Sequence, residues 1–228
     1  MIPASCVDNF WDDPDSIRDY ALSLDYKSPD ENTYFPGLRT DCLSTVDNNY
    51  YESSVKKLLS YFFDMTSDIS WTGVSHFQKS FAFNENKSNL VNMGWAHRDD
   101  EHPLRTLSAV VYLNKNTYLG SGTSILHPSI NHDKKYLNFS LRNKFYHNNY
   151  VDQKFYSDSL KNHNDQFDVT VEFKNRYNRM IAYDGHFWHR ESCLWVPEEF
   201  RLTQVFFIQF QKNIPISKKN PKNNLQYS

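Results

Sequence analysis

The stretch MGWAHRDDEHPLRTLSAVVYLN, residues 93–114, decides how this sequence is expected to fold. It places an imidazole and a carboxylate two residues apart, at His97 and Asp99, and continues into RTLSAVVYLN, an apolar run of strand type. Side chains at positions i and i+2 of an extended segment point to the same side. His97 and Asp99 are therefore predicted to bind one ion together, and a third ligand must come from elsewhere in the chain.

Further strand patterns lie on both sides of this stretch. SHFQKSFAFN at 75–84 and FRLTQVFFIQF at 200–210 are predicted strands. LGSGTSIL at 119–126 is predicted as a glycine turn that leads into a short strand, and NRMIAYDGHFWHRE at 178–191 as a strand followed by a turn and a second histidine region. Aromatic residues make up 16% of the chain, and its 15 Tyr and 17 Phe favour strands and cavity walls over a helical bundle.

Two amphipathic helices are predicted ahead of the strands. Asp13 followed by Pro14 is typical of an N-cap with proline at the first helical position. A second helix is predicted over residues 53–63, with its apolar residues on one side. Together the patterns predict a mostly β protein with supporting helices (α+β). Its core is expected to be a double-stranded β-helix, or jelly roll, with the N-terminal helices packed on one sheet.

A length of 228 residues suits a single domain, 1–228. We expect N-terminal helical support over 1–70, the jelly-roll core over 71–210 and a polar tail over 211–228. The segment 127–178 is too long for an ordinary connection and is expected to be an inserted, lid-like element. Its mixture of basic and aromatic residues would also suit a groove for single-stranded nucleic acid, but a solvated insertion is favoured.

Composition excludes several classes of protein. The formal net charge is −2 and the pI about 6.5, so bulk electrostatics do not favour a nucleic-acid partner. The cysteines Cys6, Cys42 and Cys193 are too few for a disulfide framework and form no zinc motif. The N-terminus has no signal-peptide pattern, and no apolar run reaches membrane-spanning length. A cytoplasmic protein is expected, of a bacterium or of a virus acting in its host cell.

The third metal ligand should lie far along the chain, at a strand end that a jelly roll brings beside the first pair. Among the nine histidines, His186 and His189 both qualify by position. Two imidazoles and one carboxylate on one face form the facial triad of non-haem Fe(II) oxygenases. Three coordination positions then remain open, two for a bidentate 2-oxo acid and one for dioxygen.

A co-substrate with a distal carboxylate needs a cation, and the last strand offers one. Arg201 shares a face of that strand with Thr203, Val205 and Phe207. An Arg on an interior apolar face is costly unless it meets an anion, which is either a ligand carboxylate or a buried acidic side chain. Thr203 would add a hydroxyl, and Tyr112, at the inward end of its strand, a phenol.

At this point the sequence resembles the 2-oxoglutarate/Fe(II)-dependent dioxygenases, in particular their prolyl-hydroxylase-like branch. The matching motifs are HRD, VVYLN, GSGTSIL, NRMIAYDGHFWH and RLTQVFF. The resemblance selects His189 over His186, and it implies His97, Asp99 and His189 as catalytic metal ligands. It also implies that Arg201 and Tyr112 hold the 2-oxoglutarate carboxylate. The glycine turn departs from the family's GG pattern.

The resemblance implies an enzyme that uses Fe(II) and 2-oxoglutarate, with ascorbate as an accessory reductant. It would hydroxylate a C–H bond, and its substrate would be a peptidyl or free amino acid or another small molecule. Two alternatives remain open: a non-catalytic jelly-roll binding module, and a zinc hydrolase with the same triad. Succinate formation separates the first from an oxygenase, and a requirement for Arg201 separates the second.

Overall fold

The computed structural model describes residues 3–30, 33–65, 70–103, 105–129, 139–147 and 152–210. The strands of this part of the chain are β1 (Ser5–Val7), β2 (Leu38–Arg39), β3 (Trp71–Ser80), β4 (Thr106–Tyr112), β5 (Thr123–Pro128), β6 (Phe167–Phe173), β7 (Met180–Asp184), β8 (Trp188–Glu191) and β9 (Arg201–Phe210). The helices are α1 (Pro14–Ser23), α2 (Leu43–Val46), α3 (Asn48–Ser60), α4 (Phe139–Tyr146) and α5 (Gln153–Asn164). The prediction of a mostly β protein with supporting helices is confirmed.

The strands form two antiparallel sheets. The large sheet has the order β1-β7-β4-β9-β3-β2, and the small sheet has the order β6-β5-β8. The longest pairing joins β3 and β9 along their whole length, from Trp71 opposite Phe210 to Ser80 opposite Arg201. This register sets which side chains of β9 face each side of the large sheet.

The N-terminal helices pack on one face of the large sheet. The Asp13 carboxylate accepts a hydrogen bond of 3.1 Å from the backbone N–H of Ser16, which confirms the predicted cap of α1. Helix α3 begins before the predicted residue 53, because the Asp47 side chain caps it by accepting from Tyr50 N at 3.0 Å. The apolar residues of these helices and of the covered sheet face form one core: Ala21, Val55, Leu58, Leu59, Leu107, Val111, Leu202, Phe206 and Ile208.

The small sheet packs over the other face of the large sheet. The hydroxyl groups of Tyr112 on β4 and Thr123 on β5 lie 2.9 Å apart, and Ile125 packs with Ile181 and Tyr183 of β7. Residues of β9 alternate between the two sides, as the sequence pattern predicts. Arg201 and Thr203 therefore face the small sheet, while the neighbouring residues enter the helix-covered core.

The segment predicted as an insertion, 127–178, differs from that expectation at its C-terminal end. Strand β6 lies inside it and pairs with β5 along the edge of the small sheet, so this part belongs to the sheet framework. Helix α5 packs Tyr156 and Leu160 against Val91 and Trp95. Residues 130–138 and 148–151 of the segment, and the predicted tail 211–228, lie outside the described residues.

A search of the described helices finds none that is both long enough and apolar enough to cross a membrane.

Asn178 joins the N-terminal segment to the large sheet. Its backbone is left-handed, with φ of 60°, and its buried side chain both accepts from Trp11 N and donates to Trp11 O, each at 2.8 Å. Its own N–H donates to Tyr112 O at 2.8 Å, so Asn178 connects Trp11 to strand β4. Asn9 shares the left-handed backbone, with φ of 55°, but is exposed.

We predict that Asn178→Gly lowers the free energy of unfolding by roughly 2–4 kcal/mol, because glycine keeps the backbone conformation but leaves two buried backbone groups of Trp11 unpaired. The matched control Asn9→Gly should change stability by less than about 0.5 kcal/mol, because its side chain is exposed. Urea unfolding of both variants measures the difference. Equal free energies of unfolding for the two variants would show that the hydrogen bonds of the Asn178 side chain to Trp11 do not stabilise the fold.

Candidate metal centre

Three side chains predicted as metal ligands converge between the sheets. His97, Asp99 and His189 each offer a ligand atom, and these atoms all lie within 4.8 Å of one another. The Nε2 atom of His189 is 3.4 Å from one Asp99 oxygen, and that of His97 is 3.8 Å from the other. His186 is not part of this group; its backbone N–H donates to Asp184 at 3.1 Å.

Reciprocal backbone hydrogen bonds bring the two imidazoles together. His97 N donates to His189 O, and His189 N donates to His97 O, both at 2.9 Å. The ring centres of the two imidazoles are consequently 4.3 Å apart. Asp99 N donates to Gly185 O at 2.9 Å, so the segment of residues 97–99 runs beside β8 and the turn before it. The side chains of His97 and Asp99, at positions i and i+2, therefore point to the same side, as predicted.

Backbone carbonyls fix the tautomer of both histidines. The Nδ1 atom of His97 lies 2.8 Å from Trp95 O, and that of His189 lies 2.8 Å from Phe187 O. A carbonyl oxygen only accepts hydrogen bonds, so in each neutral ring Nδ1 carries the proton and Nε2 keeps its lone pair. Both lone pairs are thus available to a metal, in the arrangement that orients imidazole ligands in metalloproteins.

Ser108 holds the carboxylate of Asp99. Its hydroxyl donates to Asp99 Oδ2 at 2.6 Å from the inward face of β4. The turn passes close beside it, because a Cβ at Gly185 would lie 3.1 Å from both Ser108 Oγ and Thr106 Cβ. The sequence assigned no role to Ser108, although its inward position two residues into the strand was readable.

Burial and mutual charge set the pKa values of the group. Burial, together with the charge of His189, lowers the pKa of His97 to about 4, against the effect of Asp99. Burial opposes ionisation of Asp99 and His189, but their mutual attraction and hydrogen bonding dominate. The pKa of Asp99 is consequently lowered, and that of His189 is raised. Without a metal, an added proton is therefore held more tightly by His189 than by His97.

A cavity of about 290 Å³ adjoins the three side chains, and Arg201 and Thr203 line it. Arg201 is 3% exposed, and its Nε donates to Ser121 O at 2.9 Å. Thr203 is fully buried, and its hydroxyl has no hydrogen-bond partner among the described residues. A cation and an unpartnered hydroxyl on one face of β9 form a suitable end for a carboxylate.

Tyr112 lies behind this end of the cavity and not on its wall. Its ring centre is 5.2 Å from the Arg201 guanidinium carbon, and its hydroxyl contacts Thr123. The glycine turn, residues 120–122, lies at the same end of the cavity, where Ser121 O accepts from Arg201. A Cβ at Gly122 would lie 1.7 Å from Phe173 O, so only glycine allows β6 to pass here.

Arg39 and Glu191, which sequence reasoning missed, also line the cavity. Arg39 lies in the stretch FPGLRTDC, a turn leading into extended chain with no periodic signal around it. Glu191 lies two residues after His189 on the same strand, so the alternation of strand β8 could have indicated that it points inward.

The sequence matches the family model described as "Family of unknown function (DUF6445)" over residues 2–202. Among curated proteins, no sequence matches it significantly.

Solved structures share the fold at low sequence identity. HygX from Streptomyces hygroscopicus, with nickel and 2-oxoglutarate bound, is 11% identical, with a TM-score of 0.55 over 91% of this chain and 83% of that one. AviO1 from Streptomyces viridochromogenes Tue57 is 11% identical, with a TM-score of 0.52 over 94% and 93%. A prolyl hydroxylase from Trichoplax adhaerens, in complex with a hypoxia inducible factor peptide, is 12% identical, with a TM-score of 0.51 over 90% and 83%. These likenesses confirm the resemblance to the 2-oxoglutarate/Fe(II) oxygenase superfamily at the level of fold.

We predict that in the metal-free protein His189 titrates above 6.5 and His97 near 4. Because the folded pKa of His189 is raised, its contribution to stability is complete below pH 6.5 and is lost as the pH rises through the folded value. His97 has a lowered pKa, so its contribution is lost as the pH falls from 6.5 towards 4.

The variant Asp99→Asn should lower the pKa of His189, because it removes the charge that favours the imidazolium. Histidine NMR titration measures both values, and the half-buried His76, whose Nδ1 contacts Thr40 O, is the internal control. An unchanged His189 pKa in the Asp99→Asn variant would contradict the proposed charge interaction between Asp99 and His189.

Proposed function

This chain belongs to the DUF6445 family, and we propose that it is an Fe(II)- and 2-oxoglutarate-dependent oxygenase that hydroxylates a C–H bond. One observation carries the proposal: the Nε2 atoms of two imidazoles and one carboxylate meet at a cavity whose other end holds a buried arginine. We further infer that strands β3 to β9, within residues 71–210, form a double-stranded β-helix core. Residues 1–70 would then supply its helical support and also the two edge strands of the large sheet, β1 and β2. The lid-like part of 127–178 would be restricted to the residues before β6.

The donor set suits Fe(II) and excludes a structural zinc site, and the buried Arg201 favours an oxygenase over a catalytic zinc site with the same three ligands. Two neutral nitrogens and one carboxylate oxygen on one side of an ion are typical of non-haem Fe(II) oxygenases, whereas a structural zinc site would be closed by four ligands. His97, Asp99 and His189 would hold the iron. The backbone carbonyls of Trp95 and Phe187 and the Ser108 hydroxyl would keep the ligands in place.

The cavity offers 2-oxoglutarate a place to bind beside the metal. Arg201 would pair with its distal carboxylate, and Thr203 would donate its unpartnered hydroxyl to the same group. Tyr112 would orient Arg201 from behind, and it would reach the carboxylate only by exchanging its contact with Thr123. HygX, which has 2-oxoglutarate bound, supports this assignment by its similar fold.

The iron, when bound, supplies the activation of dioxygen. Overall, 2-oxoglutarate and dioxygen react with a C–H bond to give succinate, carbon dioxide and C–OH. One oxygen atom enters succinate and the other enters the substrate. The protein's own contribution is to orient both substrates and to keep water out of the buried end of the cavity. Ascorbate would serve only to reduce iron that has oxidised.

The substrate is proposed to be a peptidyl or free amino acid, with another small molecule as the next choice. The prolyl hydroxylase of similar fold was solved with a peptide, and HygX was also solved with hygromycin B. Anaerobic addition of Fe(II) and 2-oxoglutarate, followed for the weak visible band of the chelate, tests the function. Bound iron without that band, together with no succinate formation, would refute it.

We predict that Ser108→Ala weakens the affinity for Fe(II) or Ni(II) by about 10- to 100-fold, because Asp99 loses the hydrogen bond that orients it. Ser124→Ala is the matched control. Ser124 is also a buried serine in a strand, but its hydroxyl contacts Ser192 outside the cavity. Anaerobic metal titration by calorimetry measures both affinities. Equal metal affinities in the two variants would show that Ser108 does not contribute to metal binding.

We predict that Arg201→Met weakens 2-oxoglutarate binding by tenfold or more, a change of about 1.4 kcal/mol or larger, with metal affinity unchanged. Arg176→Met, which removes an exposed arginine outside the cavity, should leave both affinities unchanged. The visible chelate band, titrated with 2-oxoglutarate, reports the difference. Normal binding by the Arg201 variant would favour a triad that acts as a hydrolase.

A further inference from the structure

Besides Asp99 and Arg201, five charged residues line the cavity: Arg39, Arg98, Arg142, Arg190 and Glu191. Arg98 and Arg190 alternate with the metal ligands along their extended segments and therefore emerge on the opposite side, and Arg142 Nε donates to Asn143 Oδ1 at 3.2 Å. Arg39 and Glu191 remain, and neither has a role in holding the metal or 2-oxoglutarate.

Arg39 enters the cavity from β2, at the edge of the large sheet, and Glu191 enters it from β8 of the small sheet. The two charges therefore lie on different sheets, and the metal-ligating residues line the same cavity. Charged groups in a partly enclosed site are costly unless an opposite charge meets them.

Arg39 is held in place and is not neutralised. Its Nε donates to Gln78 Oε1 at 2.7 Å, and its guanidinium carbon lies 4.2 Å from the centre of the Phe35 ring. Among the described residues, no carboxylate lies within 4.0 Å of it. Burial lowers the pKa of Arg39 to about 10, although the charges of Asp99 and Glu191 act in the opposite direction. The terminal nitrogens remain available to a carboxylate in the bidentate geometry.

The position of Arg39 separates it from the proposed 2-oxoglutarate end. Arg39 is opposite Gln78, and Gln78 is in turn opposite Thr203, so these side chains form a row across three adjacent strands. Neighbouring strands lie about 4.8 Å apart, which places Arg39 roughly 10 Å from Thr203. This spacing leaves room for a second ligand beside 2-oxoglutarate.

Glu191 is the complementary charge. It shares its strand face with His189, and the structure shows no hydrogen bond or ion pair between its carboxylate and any other described residue. Its Oε2 lies over Gly94, where an added Cβ would be only 2.2 Å away. A glycine at this position therefore provides the space that the Glu191 carboxylate occupies.

We propose that the substrate is a free amino acid, whose carboxylate binds Arg39 and whose ammonium group binds Glu191. This inference rests on the proposed function and narrows its substrate class. An internal residue of a peptide has neither charge on its backbone, so it would leave both side chains unpaired. The cavity of about 290 Å³ would also hold 2-oxoglutarate, so the space beside the co-substrate suits a small molecule. Arg39 and Glu191 are then specificity-determining residues, and the hydroxylated C–H bond belongs to the amino acid held between them.

Binding without turnover is the direct test. The Ni(II)- and 2-oxoglutarate-loaded chain is titrated with each of the twenty common amino acids, and with the N-acetyl and carboxamide forms of each, and thermal stability is measured. At least one free amino acid should raise the melting temperature, and its two blocked forms should not. Failure of all free amino acids, or equal binding of a blocked form, would overturn the inference.

Variants assign the two ends of the substrate. Arg39→Met and Glu191→Gln should each weaken binding of the selected amino acid by tenfold or more, with 2-oxoglutarate affinity unchanged. Lys27→Met is the matched control, because Lys27 is bridged to Arg39 through the backbone but pairs with Asp41 outside the cavity. Weaker 2-oxoglutarate binding in Arg39→Met would assign Arg39 to the co-substrate and overturn the inference.

The chelate band distinguishes a failure of the proposed substrate class from a failure of the proposed oxygenase function. A wild-type chain that forms the band with Fe(II) and 2-oxoglutarate but binds no free amino acid would refute the substrate class alone. A wild-type chain that binds iron but neither forms the band nor produces succinate would refute the oxygenase and, with it, this inference.

Discussion

The pair of backbone hydrogen bonds between His97 and His189 is the constraint on which the site depends. It joins a segment from the middle of the chain to a strand near its C-terminal end, and it does so at the residues that carry the imidazoles. Because backbone geometry fixes where the side chains emerge, the two rings need little further adjustment. The carbonyls of Trp95 and Phe187 then fix the tautomers, so one local arrangement sets position, orientation and protonation.

The large sheet carries out two tasks on its two faces. One face meets the helices through Leu202, Phe206 and Ile208, and this packing stabilises the fold. The other face presents Arg201 and Thr203 to the cavity, where polar groups would be costly without a ligand. The period of two along a strand allows both tasks on the same ten residues of β9. A shift of register by one residue would exchange the core and the site.

Much of this was readable from the sequence, since the relevant signals are local. The cap at Asp13, the alternation of β9 and the common side of His97 and Asp99 all follow from neighbouring residues. The choice of His189 needed a family resemblance, because His186 is equally far along the chain. The extent of the segment 127–178 was misjudged at β6. The sequence of this strand, FDVTVEF, alternates apolar and polar residues, so the strand itself was readable, although the structure leaves Val169 and Val171 exposed.

The sequence by itself determined the mostly β character with supporting helices, the residues able to bind a metal and the inward face of the last strand. Only the tertiary structure decided which partners meet: Ser108 with Asp99, Gln78 with Arg39, and Glu191 with the cavity wall. The physical reason is that these contacts join strands from distant parts of the chain, and their formation depends on sheet order and register. Local propensity carries the period of each strand, but it does not specify which strand lies beside it.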